Sequence, residues 1–188
     1  MRLFVAMDIP EDARAACGAF VATLRPACRN ARWARIEGLH VTLKFIGEVS
    51  PEKGDAIHTA LASIPSRAPI PITFRGLGFF PDERRPRVLW AGIKAGTDLA
   101  ALASAVETAL EPLGIPREER AFSPHLTLAR LDTPHVLEAL REAVKKAGRL
   151  AFGRTTATEF HLYQSVLKPG GAEYTRRATF SFTGRASE

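Results

Sequence analysis

The sequence predicts an α+β fold of two pseudo-symmetric lobes, each a mainly antiparallel sheet with helices on its outer face, with an active-site cleft between them. Three observations predict it. Strand and helix patterns alternate over the first 64 residues and alternate again from Val88. The second series repeats the first at a constant interval, since His125 follows His40, and Val88 follows Leu3, by 85 residues. The last strands come in succession with short links, and no Gly-rich nucleotide turn follows the first strand, which argues against a doubly wound parallel sheet. The 188 residues are therefore expected to form one bilobal domain from duplicated halves of about 1–87 and 88–188, with strands open to exchange between lobes.

The elements follow in order. Apolar residues over 2–8 predict a strand, and Pro10 with Glu11 and Asp12 opens a helix over 11–24. Residues 25–37 form a basic connection carrying Arg25, Arg29, Arg32 and Arg35 around Trp33. Alternation over 40–47 predicts a strand. Ser50 as N-cap and Pro51 at the first helical position start a helix to about residue 64, which Pro65 and Pro69 end. Strands are predicted at 71–75 and 88–94, and the Gly- and Arg-rich stretch 76–87 between them is the expected mobile loop. A helix over 97–113, a strand over 125–130 and a helix over 134–147 complete the repeat. Strands at 150–153, 158–167 and 174–182 close the chain.

Composition narrows the function classes. With 46% hydrophobic and 24% charged residues the chain can bury a core, which excludes disorder. No apolar run approaches the roughly 18 residues of a membrane span, and Asp8 and Pro10 cut off the apolar patch 3–7, which reads as a strand and not as a signal-peptide core. A cytoplasmic protein without membrane contact is expected. Cys17 and Cys28 match no zinc or redox spacing, so no metal and no cofactor are expected. The net charge of +6 favours polyanionic partners such as nucleic acid.

The chemistry sits in two copies of one motif, His40-Val41-Thr42-Leu43 and His125-Leu126-Thr127-Leu128. Residues i and i+2 of a strand share a face, so each histidine points with its threonine while the apolar residues point to the core. Lobes related by an approximate two-fold would bring two imidazoles and two hydroxyls to one phosphate-sized target. With pKa values near 6.5, one imidazole can accept a proton while the other donates, which permits in-line displacement at a phosphodiester without a metal. A single strand histidine is usually structural, and it is the repetition that singles these two out. His58, His135 and His161 lack the pattern and read as structural or solvent-facing.

With these motifs the sequence resembles the two-histidine phosphoesterase superfamily, specifically its RNA 2′,3′-cyclic phosphodiesterase branch, also called 2′-5′ RNA ligase. The matching stretches run through Arg2-Leu3-Phe4-Val5-Ala6, Arg32-Trp33, the segments 39–47 and 122–130, and Leu162-Tyr163-Gln164-Ser165. The resemblance implies opening of a 2′,3′-cyclic phosphate at an RNA end, tRNA halves included, to a 2′-phosphomonoester. It implies His40 as proton donor and His125 as proton acceptor, an order the symmetric motifs do not supply. A 5′-hydroxyl in place of water would give ATP-independent 2′-5′ ligation. Arg130 matches the family's arginine after the second motif and could reach the phosphate or hold a surface or ion-paired role; strand parity places it with the core leucines, so a bulge or strand end must turn it. Lys44 shares the His40 face by parity and is a candidate for the RNA backbone or a solvated lysine. Trp33, Phe45 and Phe122 flank the motifs, where an aromatic can stack a base or fill the core. The arginines at 25, 29, 32, 35, 84, 85 and 87 could line an RNA path or form a solvated face. A monomer is expected. Two alternatives stay open, a non-catalytic module that grips RNA ends and a phosphodiesterase acting on small cyclic nucleotides. A metal hydrolase lacks support, since no His-Glu-x-x-His accompanies the motifs.

Overall fold

A computed structural model describes residues 1–132, 138–147, 149–169 and 171–184. The elements run in order β1 (Arg2–Asp8), α1 (Glu11–Leu24), β2 (Ala31–Trp33), β3 (His40–Glu48), α2 (Pro51–Ala62), β4 (Ile70–Phe80), β5 (Val88–Ala95), α3 (Thr97–Leu110), β6 (His125–Leu131), α4 (Glu138–Lys146), β7 (Ala151–Ala157), β8 (Glu159–Lys168) and β9 (Gly171–Ser181). One four-stranded sheet has the order β3-β1-β8-β9 and one five-stranded sheet the order β2-β6-β5-β4-β7. All their pairings are antiparallel, so the α+β expectation holds. The expected helix over 134–147 is described from Glu138, and residues 134–137, with His135, lie outside the described residues.

The sheets do not follow the halves of the sequence. Strands β8 and β9 join β1 and β3, whereas β2 and β4 join β5 and β6. The helices are exchanged as well, since α1 packs on β7 and α4 on β4, while α3 packs on β3 and α2 on β9. Each sheet therefore buries one face under two helices, and the opposite faces of the sheets are left to form a cleft. The buried faces share one apolar core, in which Leu3, Met7, Ile57 and Leu99 lie in one lobe and Phe74, Leu89, Leu126 and Leu140 in the other. Local signals fix the helix ends, at Ser50 as predicted. The Ser50 hydroxyl accepts the Lys53 N–H at 3.3 Å ahead of Pro51, and the left-handed Gly114 (φ 73°) ends the turn after α3.

The first five residues of the expected loop over 76–87 are sheet. Strand β4 continues to Phe80 because a bulge between Phe74 and Leu77 absorbs the left-handed Gly76 (φ 80°) and pairing with β5 resumes. Only residues 81–87 turn the chain. There the Asp82 carboxylate accepts the Arg84 and Arg85 N–H groups at 2.7 and 3.0 Å, and the Arg87 N–H closes on the Phe80 carbonyl at 2.6 Å.

Candidate active site

Strands β3 and β6 lie next to each other where the two sheets meet. A cleft of about 490 Å³ opens over them, lined by His40 and Thr42 from one and by His125, Thr127 and Arg130 from the other. Both motifs thus reach one concave surface.

Each imidazole is held the same way. His40 Nδ1 lies 2.7 Å from the Gly38 carbonyl, and His125 Nδ1 lies 2.8 Å from the Ser123 carbonyl. A carbonyl oxygen only accepts, so Nδ1 carries the hydrogen in both rings and Nε2 is left to take or give a proton. Ring packing completes the support. His40 rests against Phe4 at 4.8 Å and meets Tyr174 edge-on at 5.2 Å, and His125 meets Phe80 edge-on at 4.9 Å. Burial pushes the His40 pKa below its ordinary value, opposed by the Gly38 carbonyl and by the Asp8 carboxylate.

Bulges set the direction of the side chains beyond each threonine. In β3, Thr42 pairs with Ala6 and Lys44 with Val5, which leaves Leu43 without a partner. In β6, Thr127 pairs with Trp90 and Ala129 with Leu89, which leaves Leu128 without one. Two consecutive residues therefore turn to the core, and the alternation inverts beyond them. This inversion brings Arg130 into the cleft despite its nominal parity. It also corrects the reading of Lys44 as an RNA contact. Lys44 is buried on the core side, with Nζ 2.9 Å from Glu107, 3.5 Å from Glu118 and 2.6 Å from the Pro116 carbonyl. Phe45 takes the cleft position and is 56% exposed, far more than a core phenylalanine would be.

The other candidates divide. Trp33 lines the cleft, its indole N–H donating to the Cys28 carbonyl at 3.2 Å. Phe122 packs against the hydrophobic core and does not line the cleft, so the structure gives it no stacking position. Arg32 and Arg35 reach the cleft, with Arg32 also paired to Asp132 at 2.5 Å. Arg25, Arg29, Arg84, Arg85 and Arg87 do not line it. His161 is buried and not solvent-facing, with Nδ1 3.1 Å from the Thr179 hydroxyl. Sequence reasoning missed Arg2, Phe4, Leu167 and Tyr174, which line the cleft from β1 and from the β8–β9 hairpin. Only strand pairing brings that hairpin beside β1, and no local pattern encodes it. Among the described residues no group of three His, Cys, Asp or Glu side chains could hold a metal ion, and no helix is long and apolar enough to cross a membrane.

Two facing sheets that present paired His-x-Thr motifs define the class of two-histidine phosphoesterases. The family model of the 2′-5′ RNA ligase superfamily matches residues 10–168, and the chain belongs to that family. It is 34% identical to the RNA 2′,3′-cyclic phosphodiesterase of Archaeoglobus fulgidus, over 93% of this chain and 96% of that protein. It is 36% identical to the protein of the same name from Thermus thermophilus, over 98% and 91%. Among solved structures, TT0787 of Thermus thermophilus superposes with a TM-score of 0.83 at 33% identity, covering 99% of this chain and all of that one. E. coli LigT complexed with 3′-AMP superposes with a TM-score of 0.82 at 28% identity, covering 97% and 98%.

Proposed function

We propose that the protein hydrolyses 2′,3′-cyclic phosphate ends of RNA to 2′-phosphomonoesters by acid-base catalysis between His40 and His125. The observation that carries this reading is one cleft holding both imidazoles, each with Nδ1 tied to a carbonyl two residues upstream, beside both threonine hydroxyls. His125 Nε2 takes a proton from water as its oxygen attacks phosphorus. The bond from phosphorus to O3′ breaks, and His40 Nε2 delivers a proton to that oxygen. Thr42 and Thr127 donate to the non-bridging oxygens, and the Arg130 guanidinium, on the same cleft face, pairs with the phosphate. Phe45 and Trp33 offer faces to the terminal base. When a 5′-hydroxyl replaces water, the same proton transfers join two RNA ends through a 2′-5′ linkage, and the ring opened at O3′ supplies the driving force.

The shared bulge and the matched histidine anchors support the reading of residues 1–188 as one bilobal domain of duplicated origin. The proposed reaction uses His40, Thr42, His125, Thr127 and Arg130 of a single chain, and a monomer is the proposed acting unit. Cys17 and Cys28 are free thiols, which supports a reducing, cytoplasmic setting in which tRNA halves are among the candidate substrates. The test is incubation with an oligonucleotide ending in a cyclic phosphate, without triphosphate or metal, followed by identification of the product isomer. A 2′-phosphate is the expected product. An unchanged end or a 3′-phosphate would overturn the reading.

A further inference from the structure

The two histidines are alike within their own strands and differ in the strands beside them. Asp8, the last residue of β1, stands directly opposite His40 in the antiparallel register. Opposed residues project from the same face, and both line a cavity of about 710 Å³ that continues the cleft past His40. Opposite His125 stands Gly92. A Cβ there would come within 2.5 Å of the Arg75 carbonyl oxygen, so the sheet admits no side chain at that position.

Asp8 is firmly held. Its Oδ1 accepts the Tyr163 hydroxyl at 2.6 Å, its Oδ2 accepts the Arg176 guanidinium, and Arg176 Nε donates to the Tyr163 oxygen at 3.3 Å. The Tyr163 phenol, pushed up to about 12 by burial and by Asp8, stays a neutral donor. His161 lies behind the carboxylate, Nε2 3.7 Å from Oδ2, and burial pushes its pKa down. Other charges near His40 are committed or peripheral. Arg14 of α1 spends its guanidinium on the carbonyls of Ile36, Glu37 and Leu39 at 2.9, 2.6 and 3.3 Å. Arg35 and Glu37 border the cavity from the turn before His40, and Glu173 borders it from β9 beside Tyr174. Across the cleft stand His125 and Arg130.

We propose that Asp8 is a positioning residue that sustains the protonated, donating form of His40, and that Gly92 in its place beside His125 leaves that ring to act as the base. The proposal rests on the two-histidine reading above and adds what the symmetric motifs lack, a reason for the order of acid and base. A carboxylate opposite the ring favours the imidazolium against the burial that disfavours it. Gly92 offers no such carboxylate at the matching position beside His125.

Histidine ring resonances followed against pH test it in the parent, in Asp8→Asn and in Arg176→Gln. Asparagine keeps an acceptor for Tyr163 and removes the charge. The His40 midpoint is expected to fall by about half a unit or more in Asp8→Asn, to rise in Arg176→Gln, and the His125 midpoint to stay in place. During turnover of a cyclic-phosphate oligonucleotide, kcat/KM above the His40 midpoint should fall as that midpoint falls in Asp8→Asn and rise as it rises in Arg176→Gln. A uniform rate loss with both midpoints unmoved would overturn the proposal, because Asp8 would then only hold structure. A kcat/KM that holds or rises as the His40 midpoint falls would overturn it too, by making His40 the base. Failure of the parent to open the cyclic end would instead overturn the catalytic reading, and the ring titration would still report whether Asp8 and His40 are coupled.

Discussion

Strands β3 and β6 are the same device up to one residue past each threonine and different devices beyond it. Both start on a histidine anchored through Nδ1 to a backbone carbonyl, and both bulge at a buried leucine, Leu43 or Leu128. After the bulge β3 presents Phe45 to the cleft and Lys44 to the core, where β6 presents Arg130 and Ala129. In the proposed reaction the repeated portion supplies proton transfer. What differs is an exposed aromatic face on one side and a guanidinium on the other, proposed above to stack the terminal base and to hold the phosphate. A cyclic phosphate at the end of a base-bearing chain needs both, and a strictly symmetric cleft would offer two of one kind.

The largest expected effect tests the repeated portion. His40→Ala and His125→Ala should each cost about 3 to 5 kcal/mol of transition-state stabilisation, because each removes one of the two proposed proton transfers. The double variant should be little worse than either single one, since groups that act as a unit are far from additive. Rates on a cyclic-phosphate oligonucleotide, with circular dichroism to confirm the fold, check this. A single variant close to the parent rate would break the comparison by making one half dispensable.

The next effect separates Lys44 from its counterpart Ala129. The Lys44 ammonium is sealed between Glu107, the Pro116 carbonyl and Glu118, so it braces β3 against α3 and the segment after that helix. Lys44→Ala would leave the largely buried Glu107 carboxylate without its cation and should cost about 3 kcal/mol or more in stability, read from urea unfolding. The salt dependence of RNA binding should not change, because no phosphate contact is lost. A reduced salt slope with unaltered stability would return Lys44 to the RNA path.

Lys44 and Arg130 also show how far the sequence could be read. The α+β class, the repeated His-x-Thr motif and nearly every element were legible, because periodicity and cap chemistry are local and agree with the tertiary packing. The motif residues were legible for the same reason, as a pattern on one strand face. Parity then failed one residue past each threonine, where a bulge at a leucine like any other inverted it. The interval exposes the bulge's surroundings as well: 85 residues separate the histidines, but 84 separate Asp8 from Gly92, the residues that face them. Exchange of strands could be allowed for, but which strands and helices exchange was hidden, since no local pattern says that β8 will lie beside β1. The Tyr163 and Arg176 partners of Asp8 stand more than 150 positions away along the chain and meet it only through that pairing.

Arg130 sharpens the difference at intermediate scale. A guanidinium can hold two phosphate oxygens at once, whereas an ammonium acts as a single point charge. Arg130→Lys should therefore lose about tenfold to a hundredfold in kcat/KM with unfolding unaffected. Equal activity would mean that only the charge matters there. The outcome is informative because, among the described residues, Arg130 carries the one cleft-facing cation contributed by a motif strand.

The smallest effect belongs to Phe45, the position matched with Arg130. Its ring is more than half exposed beside Thr42, an arrangement that costs the folded protein buried apolar surface and returns it only when something covers the ring. A terminal base is flat, apolar on its faces and sequence-tolerant in stacking, so Phe45→Ala should weaken oligonucleotide binding by about 1 kcal/mol, expressed in KM with kcat nearly unchanged. Stability should hold or rise slightly, since little packing is lost. Comparison of a cyclic-phosphate oligonucleotide with a base-free ribose cyclic phosphate isolates the stacking contribution. The penalty should vanish for the base-free compound, and if it persisted, Phe45 would be shaping the phosphate site itself and the division of labour between the two bulges would fail.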